Sequence, residues 1–284
     1  MKFSFIFSKS FLHIILIIFM IIWIVPTLGI LITSFRPASH VNSSGWWTVL
    51  NSPLKFTQFT FDNYQTVLGE SGMAEAFKNS LLIAGMGTLL PVILAAFAAF
   101  ALAKLELTGR LWIYGLVVGL LVVPFQMTFI PILKFYNSIG ISGTFPALWI
   151  SHTGYGLPFA VFMLHNFFDS LPDDLFDAAF IDGASVWQSF WRIALPLSVP
   201  ALASLIIFQF LWVWNDMLVA LIYLGGSQDV APMTVRLANL VGSRGQNWHL
   251  LTSGAFISII VPLLIFFSLQ RYFVKGILAG SVKG

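Results

Sequence analysis

Long apolar runs separated by short polar breaks dominate the chain. A helix needs roughly 20 apolar residues to cross the hydrocarbon core of a bilayer. Six segments meet that requirement: about Phe11–Ile32, Ser80–Ala103, Leu111–Leu133, Phe145–Phe168, Val199–Leu224 and Leu250–Gln270. They predict an all-α integral membrane protein with six transmembrane helices. The second run carries no charge between Lys78 and Lys104, and the third none between Arg110 and Lys134. The fourth has a weaker start, because Asn137–Thr144 is an uncharged Gly/Ser turn. The first run is too long for the apolar stretch of a signal peptide, and no A-x-A site follows it, so it is expected to be an uncleaved span. The second is rich in alanine (Ala95, Ala96, Ala98, Ala99, Ala101, Ala103). Small residues let helices approach closely in lipid.

The polar breaks set the expected topology. With the N-terminus inside, the inner segments hold eight of the 14 Lys and Arg residues, and the longer outer segments hold six. The short Lys104–Arg110 loop and the Arg271/Lys275 pair carry most of this bias, and the positive-inside rule then puts both termini in the cytoplasm. The longest outer stretch, residues 33–79, contains NSSGWW (Asn42–Trp47) and FTFDNYQ (Phe59–Gln65). Its aromatic residues suit either a partner surface or an ordinary interfacial belt. In the last outer loop, Gly225–His249, the run APMTVRLANLV is expected to form a short amphipathic helix lying on the membrane.

One inner break differs from the rest. Between the fourth and fifth runs lies DAAFIDGASVWQSFWRIALPL, Asp177–Leu197. Upstream of it, Ser170 can cap a helix, Pro172 suits the first turn, and Asp173 and Asp174 favour the positive end of the helix dipole. Leu175, Phe176, Ala179 and Phe180 share one face. Gly183 breaks that helix, Ser185 with Gln188 has capping-box spacing for a second one, and Pro196 is expected to stop it. A membrane-surface anchor would be basic on its polar face. This segment carries Asp173, Asp174, Asp177 and Asp182, so a protein partner is favoured over lipid.

The same residues resemble the EAA loop of ATP-binding-cassette importer permeases. In that pattern E-A-A is followed after two residues by D-G-A, and after eight more by I-x-L-P. The chain has Asp177-Ala178-Ala179, Asp182-Gly183-Ala184 and Ile193-Ala194-Leu195-Pro196, departing only in Asp177 for glutamate. FDNYQTVL, NSLLIA, AFALAKLELTGR, VPFQMTFIP, WVWNDMLVAL and the tail GILAGSVKG resemble carbohydrate permeases of the MalG type. SGWW is similar to permeases for α-glucosides and glucosyl osmolytes. The resemblance covers nearly the whole chain. It implies a type I importer permease fold: a single transmembrane domain over 1–284, with about 171–197 as a cytoplasmic EAA loop and about 33–79 as the first extracytoplasmic loop.

By that resemblance, the chain would pair with a second, MalF-like permease, two ATP-binding subunits and an extracytoplasmic solute-binding protein. It would do so in the cytoplasmic membrane of a bacterium or archaeon. About Leu175–Ala184 would be the coupling helix. Asp177, Ala178, Ala179, Asp182, Gly183, Ala184, Leu195 and Pro196 would be the ATPase-coupling positions, and Gly280–Gly284 a further ATPase contact. ATP and Mg2+ would belong to the partner subunits. This fits the sequence, in which no G-x-x-x-x-G-K-[ST] motif occurs.

Composition adds exclusions. The chain is 58% hydrophobic and 9% charged, with a net charge of +3 and no cysteine. Soluble domains carry about 25% charged residues. The small positive charge reflects loop topology and not nucleic-acid binding. Without cysteine there is no disulfide, cysteine-bound zinc or iron–sulfur cluster. No catalytic arrangement of Ser, His and acidic residues stands out, and no metal-ligand spacing. His152 and His165 are taken as structural or interfacial. Asp216 sits within the fifth run, where an ionisable residue must face the bundle or water. With Gln126, Gln209, Trp212 and Asn215 it forms a candidate solute path or gate. Helix-to-helix hydrogen bonding is the competing explanation. Rival classes are a self-contained carrier or channel, an importer permease for a non-sugar solute, and a non-transporting scaffold. A carrier would suit paired intramembrane charges or an internal repeat, and neither is evident.

Overall fold

The computed structural model of the protein describes residues 9–240 and 247–281. Ten helices carry the architecture: α1 (Lys9–Ser34), α2 (Met73–Lys104), α3 (Arg110–Gly119), α4 (Phe129–Ser138), α5 (Phe145–Asp169), α6 (Asp174–Ile181), α7 (Val199–Trp214), α8 (Leu218–Leu224), α9 (Met233–Leu240) and α10 (Trp248–Ser281). Among the described residues, four helices are long and apolar enough to cross a membrane, or up to six if each of two bent pairs is one span. The four are α1, α2, α5 and α10. The chain divides into two compact units, Met1–Ala74 with Arg236–Ile259, and Glu75–Val235 with Ile260–Gly284.

Two of the expected spans are not continuous helices. The third is bent by 90° between Arg110–Val122 and Phe125–Ser138. Pro124 is the cause. A proline lacks the N–H that continues a helix, and it pushes the preceding residue out of the α region. Val123 (ψ 119°) and Pro124 (ψ 109°) are both extended. The fifth expected span, Val199–Leu224, stops at Trp214 and restarts at Leu218. At 16 residues, α7 alone covers about 24 Å, short of the ~30 Å hydrocarbon core. It continues at its other end, through a 75° bend, into Val186–Leu197.

The second unit is built on small residues. Ala95, Ala96 and Ala99 of α2 are buried against Ala160, Val161 and Leu164 of α5 and Ala201 and Leu205 of α7. This is the close approach that the alanine run implied. The start of the APMTVRLANLV stretch packs into this unit. Asn79 Nδ2 donates to the carbonyls of Asp229 (2.8 Å) and Ala231 (3.2 Å), and the Met233 N–H donates to Ser80 Oγ (2.8 Å). Ala231, Met233 and Val235 are buried. The helix exists, but its apolar face serves the protein interior.

In the first unit, the aromatic stretches of the long loop close the end of α1. Asn63, itself buried, donates through Nδ2 to the carbonyls of Ser34 (2.9 Å) and Arg36 (2.9 Å). Ser253 Oγ reaches the same Ser34 carbonyl at 2.9 Å. Phe35 packs edge-on to Phe61 at 5.4 Å and lies 4.9 Å from Tyr64, whose hydroxyl is 2.7 Å from Ser34 Oγ. The FDNY residues therefore satisfy carbonyls that a helix end leaves free. Replacing Asn63 by Ala removes the side-chain donor from the Arg36 carbonyl and leaves the Ser34 carbonyl to Ser253 alone, at about 1–3 kcal/mol. The expected outcome is a lower thermal-inactivation midpoint of the purified complex, with the assembled subunit ratio unchanged.

Candidate functional site

The acidic segment between α5 and α7 folds largely as its residues dictate. Helix α6 ends in a Schellman motif: Ala184 N–H donates to Ala179 O (2.9 Å) and Gly183 N–H to Phe180 O (3.0 Å). This requires the left-handed backbone that Gly183 adopts, φ +82°. Ser185 and Gln188 then form a complete capping box. Two expectations fail. Ser170 does not cap α6. It ends α5, its hydroxyl donating to Phe167 O at 2.6 Å, and the N-cap of α6 is Asp173 with no side-chain bond. Pro196 does not stop its helix, which runs to Leu197. A wide π-type turn over Phe190–Ala194 precedes it and absorbs the missing proline N–H.

The face expected to be shared by Leu175, Phe176, Ala179 and Phe180 is narrower than the pattern suggested. Phe176 is 3% exposed and Ala179 half-buried, while Leu175 and Phe180 remain exposed. Phe176 enters the buried cluster of α2, α5 and α7, its ring 6.1 Å from Phe100. Phe190 enters from the second short helix, 5.2 Å from the same ring. Lys104, at the end of α2, holds the start of α6. Its Nζ donates to Leu171 O (2.8 Å) and to Asp173 Oδ1 (2.5 Å), and sits 5.2 Å over the Phe176 ring. The outward side presents Asp177, Ala178, Ile181, Asp182 and Gly183, all exposed, with Ile181 at 86%. Ala184 is half-buried, Leu195 packs against the core cluster, and Pro196 is exposed. The tail contact expected at Gly280–Gly284 runs into residues 282–284, which lie outside the described residues.

A cavity of about 480 Å³ opens beside the break in the third span. Phe125 and Thr128 follow the break, Tyr155 and Phe159 come from α5, and Gln209 and Trp212 from α7. Of the five path candidates, Gln209 and Trp212 line it. Gln126, although exposed, does not. Asn215 and Asp216 lie at the break between α7 and α8. Asn215 Nδ2 donates back to Leu211 O at 2.7 Å. Asp216 accepts the N–H groups of Val219 (3.2 Å) and Ala220 (3.1 Å), and its own carbonyl accepts from Thr234 Oγ1 (2.7 Å). Its role here is to start α8. His152 is fully buried, 3.8 Å from Asp216 Oδ2 and edge-on to Trp212 at 5.2 Å, and its ring nitrogens find no hydrogen bond among the described residues.

Gln209 does two things. Pro91 leaves the Gly87 carbonyl of α2 without its in-helix donor, and Gln209 Nε2 donates to it at 3.0 Å. A Cβ on Gly156 would sit 2.5 Å from that nitrogen, so only glycine at 156 leaves room for the amide. Pro158 likewise frees the carbonyl of Gly154, which lines the cavity. Sequence reasoning missed the hydroxyls: Thr128 Oγ1 lies 2.9 Å from Tyr155 OH, which lies 2.6 Å from Tyr223 OH. These residues sit in apolar runs with no spacing to mark them.

These features describe a bundle of apolar, partly broken helices with a cavity among them and an exposed acidic helix at α6. The chain belongs to the family described as binding-protein-dependent transport system inner membrane component, whose profile matches residues 87–279. It is a multi-pass permease of the ATP-binding-cassette importers, of the MalG type. It is 56% identical over 276 residues to the osmoprotective compounds uptake permease protein GgtD of Synechocystis sp., covering 97% of this chain and 93% of that protein. It is 52% identical over 232 residues to the alpha-glucoside transport system permease protein AglG of Rhizobium meliloti, covering 80% of this chain and 61% of that protein. Its fold matches a chain of a bacterial ABC transporter involved in the import of the acidic polysaccharide alginate, with TM-score 0.79 and 20% identity over 96% of this chain and 99% of that one.

Gly183→Ala forces a Cβ into the left-handed region at about 1–2 kcal/mol. Amide hydrogen exchange at residues 180–184 of the intact complex is expected to accelerate by about 5–30-fold, with residues 150–165 of α5 unchanged.

Proposed function

We propose that the chain is one permease subunit of an ATP-driven importer for a sugar or glycoside, of the α-glucoside or glucosyl-osmolyte class. One observation carries the mechanism: α6 is exposed on one side and locked into the bundle core on the other by Phe176. A motor protein gripping Asp177, Ile181 and Asp182 would move Phe176, and through Phe100 and Phe190 the packed helices around them. In this reading two ATP-binding subunits hold ATP and Mg2+, and the chain itself does no chemistry. A second, MalF-like permease completes the path, and an extracytoplasmic binding protein delivers the solute. The assembly lies in a bacterial or archaeal cytoplasmic membrane, both termini of this chain facing the cytoplasm. The printed functions of GgtD and AglG support the solute class. A related alginate transporter crystallised with a pentasaccharide-bound periplasmic protein supports the binding-protein partner.

The cavity suits such a solute. Aromatic faces at Phe125, Phe159 and Trp212 surround the polar groups of Thr128, Tyr155 and Gln209. Sugars offer the same combination of apolar faces and hydroxyls. As the solute passes, Trp212 and Gln209 are the positions expected to touch it. Gln126, Asn215 and Asp216 act as a gate or support beside it.

The test is solute-stimulated ATPase activity of the reconstituted complex, with maltose and glucosylglycerol as probes. Wild type is expected to hydrolyse ATP in response to one of them with its binding protein. Gly183→Pro is expected to abolish coupled hydrolysis or assembly. If this chain alone moves solute, indifferent to that change, it is a carrier. In the same vesicles, Trp212→Ala removes an aromatic contact worth about 0.5–1.5 kcal/mol, raising the half-saturating solute concentration for uptake about two- to tenfold. An unchanged value would place the solute elsewhere.

A further inference from the structure

The first unit contains a separate cavity of about 340 Å³. Its walls are graded in polarity. One end is apolar, formed by Pro26, Gly29 and Ile30 of α1. The flank is aromatic, formed by Trp46 and Trp248. The other end holds Arg36. From Pro26 to Thr33 the helix rises about 10 Å, comparable to the step from acyl chain to headgroup in a bilayer. Trp46 lies so close to α1 that a Cβ on Gly29 would be 2.8 Å from its Nε1. Glycine at 29 is what lets the indole form this wall. The α1 surface beyond it is exposed and apolar, Trp23 at 78% included.

Arg36 is 3% exposed. Its terminal nitrogens donate to Ser44 O (3.0 Å), His40 O (3.2 Å) and Ser44 Oγ (2.6 Å), with Thr48 Oγ1 at 3.4 Å. Every one of these acceptors is neutral. Arg36 forms no ion pair among the described residues, and its buried Nε–H has no acceptor. Desolvation lowers its pKa from the usual arginine value, and no neighbouring anion offsets that. A buried guanidinium without a counter-charge is unfavourable, and its planar donor set matches phosphate. Tryptophans at a span end mark the headgroup level of a bilayer.

We infer that this cavity is a phospholipid site. The lipid phosphate lies at the Arg36 end of the cavity, where it supplies the counter-charge that the guanidinium lacks, and the adjoining glycerol and first methylenes lie along Gly29 and Ile30 between the two tryptophans. A carboxylate from a neighbouring subunit would satisfy the charge but has no use for an apolar wall continuous with the lipid-facing side of α1. A lipid uses both. The site lies outside the solute cavity and the coupling segment, so it is an addition to the transport reading and not a part of it.

The experiment is native mass spectrometry of the delipidated, fully assembled complex titrated with phosphatidylglycerol. Dioleoylglycerol, which has the same kind of tails without phosphate, and inorganic phosphate serve as controls. The expected result is one phosphatidylglycerol retained per copy of this chain, weakened at least fivefold by Arg36→Gln, with dioleoylglycerol not retained. Arg36 also ties its own loop, so Ile30→Trp provides a second variant. It fills the cavity, leaves the Arg36 bonds in place, and is expected to weaken retention to the same degree. Millimolar inorganic phosphate is expected not to displace the lipid. Equal retention of dioleoylglycerol, retention unaffected by either variant, or displacement by free phosphate would each overturn the lipid assignment. A structure of the complex with another subunit's carboxylate on Arg36 would overturn it in favour of a protein contact.

Discussion

Backbone polar groups released inside a bilayer have no water to turn to, and each break in a span must be answered by the protein itself. The fold is organised around those answers. Pro91 frees the Gly87 carbonyl, and Gln209 takes it. The gap between α7 and α8 frees amides, and Asp216 takes two of them. The end of α1 leaves carbonyls, and Asn63 and Ser253 take them. Polar side chains that look anomalous in a hydropathy plot are thus the conditions under which the helices can break. The break in the third span borders the cavity, with Val123, Phe125 and Thr128 among its lining residues.

The acidic segment between α5 and α7 follows a different logic. It is anchored by few contacts, but those contacts are of high quality: one buried ring on α6, one on the following helix, and a nearly dry lysine that joins Asp173 to the end of α2. Ion pairs exposed on both sides contribute little. Here the Lys104 side chain is 3% exposed even though that of Asp173 is 80% exposed, so much of its value lies in placing the helix. Around this anchor the aromatic rings of Phe97, Trp187, Phe190 and Trp191 stack and cross within 6.4 Å of one another. Such a cluster transmits displacement, because packed rings cannot interpenetrate.

What was legible in the sequence was local or periodic. The Ser185–Gln188 capping box, the turn at Gly183 and the long runs α1, α2, α5 and α10 each depend on residues within one or two turns. Gln209 and Trp212 were legible as polar or amphipathic residues in an apolar run. Asp216 was noticed for the same reason, but its role depends on a break that hydropathy averages away. Ser170 carries the right residue type for an N-cap, yet it closes α5, and α6 begins only after Asp173, three residues further on. The hydroxyls of Thr128, Tyr155 and Tyr223 meet only because three separate helices converge, and no spacing along the chain encodes that meeting.

The two sides of α6 answer to different constraints. Phe176 must fit rings contributed by α2, α5 and the segment after it, so its shape is tied to the whole bundle. Asp177, Ile181 and Asp182 are exposed on the other side. If the proposed docking role holds, mutational drift on the outer side can change which motor the permease accepts while the route through the membrane stays intact. An importer built this way can be re-engined without being re-plumbed, and a hybrid with a foreign ATPase becomes a matter of matching one short helical surface.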